Sequence, residues 1–326
     1  MTTVPVTFAG GLYDRMQALY TGEVKPQGID FRFVVNDEPR EIFNRMLAGQ
    51  EYDASEMSAS DYIARVAVEG DRCPLVALPV FPSRVFRHSF IWVNRRSGIR
   101  APKDLRGRRI GVPRYSMTAA VWMRGLLEHD YGVDLSGVEW VEGAIHRRGP
   151  HGDPPLIPLA REARIVENHP EKSLDQALDE GSIDAFLGTA WPESRRRNPD
   201  VQRLLPDYVE DEKAYFRRTG LYPIMHLIAL RRSTWQASPP IAKSLYAAFE
   251  ASKQVALKHM RHLAALRYML PWMTGELDDI DRLMGADPFP YGIEPNRRTL
   301  ETLMDYMVEQ GIMAAKPPIE RLFVPI

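Results

Sequence analysis

The chain has 326 residues, 44% of them hydrophobic, which is enough for two packed cores because single cores stop growing near roughly 250 to 300 residues. Its 42 basic and 43 acidic side chains leave a formal net charge of −1, so no global field draws it to nucleic acid or to an anionic membrane, and a small-molecule partner is favoured. The single cysteine, Cys73, cannot close an internal disulfide, no basic leader with an apolar core opens the sequence, and no apolar run reaches the roughly 18 residues of a membrane span; a cytoplasmic protein is expected.

In chain order, VPVTFAG, GLYDRMQALYTGEV and IDFRFVV read as strand, helix and strand, with Gly10 and Gly11 ending the first strand. A helix around EPREIFNRMLAGQ, closed by Gly49, precedes the short segment YDASEMS and the apolar run PLVALPVF. A second unit gives the strand RRIGV, a helix that begins after Tyr115 or Ser116, and the strand VEWVEGA. ENHPEKSLDQALDEG then reads as a helix, SIDAFLG as a strand and YPIMHLIALRRS as a returning strand. The remainder is helical, from PPIAKSLYAAFEASKQVALKHMRHLAALRYMLP to NRRTLETLMDYMVEQGI. Strands alternating with helices predict mixed, mainly parallel sheets in an α/β fold.

Two internal echoes divide the chain. Leu47 to Ala54 and Leu178 to Ala185 each leave a helix through Gly and reach an Asp-Ala pair at the same distance, as equivalent corners of two similar lobes would. His88-SFIWVNRRS and His226-LIALRRS both start with His and end in Arg-Arg, and they read as the two crossovers between lobes. Lobe one is then 1–94 plus 226–326, with the C-terminal helices, and lobe two is 95–225. Ligand sites favour the cleft between such lobes and the carboxyl ends of strands.

Asp104-Leu-Arg-Gly-Arg-Arg-Ile-Gly-Val112 and the Leu178 to Ala185 phrase resemble type II periplasmic solute-binding proteins. FRHSFIWVN, GVPRYSMTAAVWMRGLL, YFRRTGLYPIMHLIALRR and DPFPYGIEPNRRTLETLMDYMVEQG together resemble one branch of that superfamily, the 4,5-dihydroxyphthalate decarboxylases, over nearly the whole chain. The resemblance implies a two-lobed type II periplasmic-binding-protein-like fold with a cleft. It also implies a carboxy-lyase of aromatic catabolism that converts 4,5-dihydroxyphthalate to protocatechuate. Two alternatives are a solute-binding protein that holds a small anionic or aromatic ligand without chemistry, and an enzyme of the same fold with another acid as substrate.

Such a decarboxylation needs a proton delivered to the ring carbon bearing the carboxylate, and a base that polarises the hydroxyl para to it. His88 and His226, at the starts of the expected hinge strands, are the candidate catalytic pair; each reads equally as a buried support of the hinge. A dianion calls for guanidinium groups, offered by Arg15, Arg84, Arg87, Arg114 and Arg124, the last being either a ligand or an ion-paired core residue. The helix starting near Ser116 gives backbone N–H groups beside Tyr115, Ser116 and Thr118, as an anion site or a simple cap. Tyr13, Asp14, Glu56, Ser58 and Thr189 occupy loop positions matched to the strand ends, and Trp122, Phe86 and Tyr222 could form a dry wall or pack at the hinge.

His146, His151 and Asp153 lie in HRRGPHGDPP, which reads as a loop or lid rather than a metal site. No phosphate loop, dinucleotide fingerprint or paired-cysteine motif occurs, so no cofactor is implied. The long C-terminal helices offer contact surfaces for a homo-oligomer.

Overall fold

The protein is described by a computed structural model covering residues 3–153 and 156–326; the first two residues of the opening segment and two prolines of the 146–155 loop lie outside the described residues. The first half builds β1 (Val4–Gly10), α1 (Asp14–Thr21), β2 (Ile29–Val35), α2 (Pro39–Gly49), β3 (Ala54–Ser58), α3 (Ala59–Glu69) and β4 (Leu75–Arg84). There follow β5 (Ile91–Asn94), β6 (Arg109–Val112), α4 (Thr118–His129), β7 (Glu139–Glu142), β8 (Ile165–Glu167), α5 (Leu174–Glu180), β9 (Ala185–Leu187), β10 (Val201–Arg203) and α6 (Tyr208–Thr219). The chain ends with β11 (Ile224–Arg231), α7 (Arg232–Ala237), α8 (Ile241–Met260), α9 (Met273–Met284) and α10 (Arg297–Glu309).

Two sheets result, ordered β2-β1-β3-β11-β4 and β10-β5-β9-β6-β7-β8. β1 pairs in parallel with β2 and β3, and β6 with β7 and β9, while β11 and β5 run antiparallel to their neighbours. The α/β class and mixed sheets expected from the alternating pattern are therefore present. The two Asp-Ala corners are also built alike. The Asp53 carboxylate accepts from the Thr7 amide at 2.9 Å and its own N–H returns to the Thr7 carbonyl; Asp184 does the same with Arg109, also at 2.9 Å. Each aspartate thus locks a strand onto the one beside it.

The passages between sheets fall at 85–90 and at 204–223. β5 belongs to the second sheet, so the chain has left the first before residue 94, and His226 lies within β11 rather than at a junction. Helix ends differ from expectation at two points. Gln50, not Gly49, takes the left-handed conformation that closes α2 (φ 49°), its amide bonded to the Met46 carbonyl. α8 stops at Met260, and residues 261–272 are not helical, which leaves Met269 and Trp272 largely exposed.

Apolar spacing fixes the layers. Leu245 and Phe249 of α8 face Val6 and Phe8 of β1, the two Phe rings meeting edge-on at 5.3 Å, and each such burial stabilises by about 1.5–3 kcal/mol. α4 is buried along almost its whole length, and Gly125 lets it approach α10: a Cβ there would lie 2.1 Å from the Tyr306 ring. Arg124, fully buried on α4, stacks 3.8 Å above the Tyr115 ring and donates to Gln310 Oε1 and the Tyr115 carbonyl. It is a core residue held by neutral partners rather than an ion pair, with its buried Nη1 left without a hydrogen bond.

Candidate active site

The ends of β3, β6 and β9 deliver Ser58, Thr118 and Thr189 to one cavity of about 240 Å³ between the lobes, toward the small end for a ligand site. Three helices begin on it: α2 with Pro39 and Arg40, α3 after its cap Ser58, and α4 at Thr118. Their aligned dipoles give the space a positive bias. Hydroxyls clasp the lobes here. Thr118 Oγ1 lies 3.1 Å from Ser58 Oγ and 2.9 Å from Ser60 Oγ, and Ser60 also donates to the Ser116 carbonyl at 2.7 Å.

On the first-lobe wall, His226 of β11 sits in register with Ser58 of β3, which brings its ring to the carboxylate of Glu56, one alternation further along the same strand face. Nδ1 of His226 is 2.5 Å from Glu56 Oε1, the Tyr13 hydroxyl donates to that oxygen at 2.8 Å, and the Gly11 amide donates to Oε2 at 3.2 Å. The close approach of Tyr13 needs glycine at residue 11, since a Cβ there would meet the Tyr13 ring at 2.9 Å. Burial alone would raise the fully enclosed Glu56 carboxyl. The imidazole, phenol and amide outweigh burial and hold it below the ordinary carboxylate range. An ionised Glu56 fixes Nδ1 of His226 as the donor, so Nε2 is the atom left for the cavity. The same carboxylate, with burial as the larger cause, pushes the Tyr13 phenol far above its usual value.

Arginines gather around the same space. Arg87 is 7% exposed, its Nε hydrogen bond goes to the Met225 sulfur at 3.3 Å, and its ring contact is Phe90 at 4.8 Å. Burial lowers its guanidinium to about 10, and no carboxylate among the described residues pairs with it. Such a charge costs free energy until an anion arrives. Arg40 pairs with Asp61 at 2.9 Å but leaves a buried Nε without a partner, and Arg114 leaves a buried Nη1 in the same condition. Both reach the Asp153 carbonyl, so the described part of the 146–155 loop closes over the cleft mouth. His151, from that loop, lines the cavity and is pushed down to about 4 by burial and by Arg40, Arg114 and Arg147.

Of the residues singled out from sequence, Ser58, Arg87, Thr118, Thr189 and His226 line this cavity, with Glu56 and Tyr13 directly behind His226. Others go elsewhere. His88 is buried beside Tyr131 and Tyr215, its Nδ1 without a hydrogen bond and 3.8 Å from Glu212. Arg84 is bonded to the Tyr222 and Pro290 carbonyls, the Tyr115 hydroxyl to the Gln310 carbonyl, and the Trp122 indole to the Ile224 carbonyl. Ser116 faces a smaller neighbouring hollow, and Arg15, Asp14, Phe86 and Tyr222 line a separate cavity. Arg40 and His151 were not singled out as ligands. Arg40 follows a Glu-Pro helix start and His151 sits among Gly and Pro, so local signals for capping and turns covered them. His146 lies apart from His151 and Asp153, near Asp175 and Glu193, where the Asp175 oxygens already accept the Ser194 hydroxyl and amide.

Two lobes, each built on a mixed sheet, with a cleft between them define a periplasmic-binding-protein-like architecture. Solved structures agree on the fold: the periplasmic aliphatic sulphonate binding protein SsuA from Escherichia coli superposes with a TM-score of 0.52 at 12% identity, over 98% of this chain and 92% of that one. The desulfurization enzyme DSZB gives 0.52 at 14% identity, over 99% and 96%. No protein-family model matches the chain. A 4,5-dihydroxyphthalate decarboxylase of Comamonas testosteroni is 35% identical over 331 residues, spanning 100% of this chain and 98% of its own length. One of Pseudomonas putida is 39% identical over 209 residues, 64% of this chain and 79% of that protein. The chain belongs to the 4,5-dihydroxyphthalate decarboxylase family.

Proposed function

We propose that the protein decarboxylates 4,5-dihydroxyphthalate to protocatechuate in the inter-lobe cavity, with His226 as the proton donor to the ring. The observation that carries this reading is that the Tyr13–Glu56–His226 array and a buried Arg87 without a carboxylate ion pair among the described residues meet at one small cavity. The family membership supplies the substrate. One carboxylate pairs with Arg87 and the other end of the diacid lies toward Arg40 and the mouth of the cleft. As His226 Nε2–H delivers its proton to the carbon bearing the reacting carboxylate, the para hydroxyl releases electrons into the ring, its proton drawn toward Asp61 on the same wall. The C–C bond then breaks, its electron pair restores the aromatic ring, and CO2 leaves; one proton is consumed per turnover. Phe43, Met117 and Met225 keep water from the reacting carbon.

The same reading takes the cytoplasm as the working compartment, in keeping with Cys73 being a free, buried thiol. The test is incubation of the purified protein with 4,5-dihydroxyphthalate while CO2 and protocatechuate are measured. Stoichiometric release of both supports the proposal. Tight binding with neither product overturns it in favour of a binding protein.

A further inference from the structure

A cavity of about 340 Å³, larger than the cleft, lies behind the hinge, between the crossovers and helices α1, α6, α8 and α9. Its walls are apolar: Phe86, Tyr222, Phe289, Leu257, Met260 and Leu283. The charged groups that reach it are mostly spoken for. Lys213 is held by Asp279 at 2.6 Å, Lys253 by Asp287 at 2.6 Å, and Arg15 by Asp14 at 2.9 Å.

Glu212 differs. Among the described residues no cationic side chain pairs with it closer than His88 at 3.8 Å, and the Ser89 amide donates to Oε1 at a long 3.4 Å. Burial pushes this carboxyl up to about 7, as befits an acceptor that lacks a strong donor. A second anion would be repelled by Glu276, which also lines the space and has no ion pair among the described residues.

We propose that this rear cavity is a second ligand site, for a small, neutral, apolar phenol whose hydroxyl donates to Glu212. Phe86 and Tyr222, stacked at 4.6 Å, lie on the two passages between the lobes, and Glu212 holds the Ser89 amide on the first of them. A ligand wedged here therefore braces the hinge and alters substrate affinity in the cleft without touching substrate.

The test uses the full chain and compares p-cresol with toluene by titration calorimetry, then repeats p-cresol on Leu257→Trp and Met260→Trp, which fill the cavity. The expected result is one p-cresol per chain, binding about 5-fold or more tighter than toluene, as one net hydrogen bond implies, and loss of that binding in whichever filled variant retains the native circular dichroism. Equal affinity for the two probes overturns the role of Glu212, and this comparison requires no variant. Undiminished p-cresol binding in a folded, filled variant overturns the location.

Discussion

Two histidine–glutamate pairs flank the hinge, and they have opposite characters. His226 and Glu56 are 2.5 Å apart, with Tyr13 and the Gly11 amide also directed at the carboxylate, which is held ionised. His88 and Glu212 are 3.8 Å apart among aromatic rings; burial depresses the imidazole to about 4 and lifts the carboxyl to about 7. The first pair holds an ionised carboxylate beside a cavity, the second is close to neutral and packed. Proximity of His and Glu does not make a proton relay; the number of donors aimed at the carboxylate decides which form survives burial.

The largest effect should come from breaking the charged pair at its carboxylate. Glu56→Gln leaves the shape but removes the charge that orients His226, and kcat for CO2 release should fall by about 100-fold or more, with KM changed far less. A matching loss in kcat and in thermal stability would make Glu56 merely structural.

The neutral pair should reveal itself in stability rather than rate. A folded-state pKa near 4 against about 6.5 unfolded means that the unfolded chain takes up the proton first, so stability present above pH 6.5 is lost as pH falls from about 6.5 toward 4. For His88 that amounts to about 3 kcal/mol, with His151 acting in the same direction. Denaturant titrations of His88→Phe across this window should show a flatter pH dependence; an unchanged slope would remove His88 from the account.

Arg87 sharpens the contrast from the anion side. Arg87→Met should raise KM for the diacid about 10- to 100-fold while the empty protein gains about 1 kcal/mol or more in stability, since a buried charge without its partner is removed. A variant with unchanged KM would move the carboxylate site elsewhere. The smallest effect belongs to the clasp: Ser60→Ala should cost about 1 kcal/mol in unfolding free energy and leave the pH dependence of both pairs as it was.

Much of the architecture was legible because it is periodic. The Asp-Ala corners, the alternation of strands and helices and the C-terminal helix over NRRTLETLMDYMVEQGI all announce themselves in sequence. β8 and β10 did not, being three-residue edge strands with little apolar pattern, and α6 carries so many charges that only Tyr215 is buried. In the site, Glu56, Ser58, Thr118, Thr189, Arg87 and His226 converge because strand ends and helix starts are set by backbone signals. Arg84, Arg87 and His88 show the limit: they are near neighbours in the chain, yet one turns to carbonyls of the C-terminal segment, one to the cleft and one to an aromatic pocket. That choice is made by tertiary neighbours, which no local pattern encodes.

The most direct test of the contrast is the initial rate of CO2 release from 4,5-dihydroxyphthalate by His226→Asn and His88→Asn, measured beside the unsubstituted protein at neutral pH. His226→Asn should lose about 100- to 10,000-fold, and His88→Asn should keep most of its rate. A His88→Asn protein that folds normally yet is as inactive as His226→Asn would contradict the assignment of the chemistry to the Glu56-bound histidine.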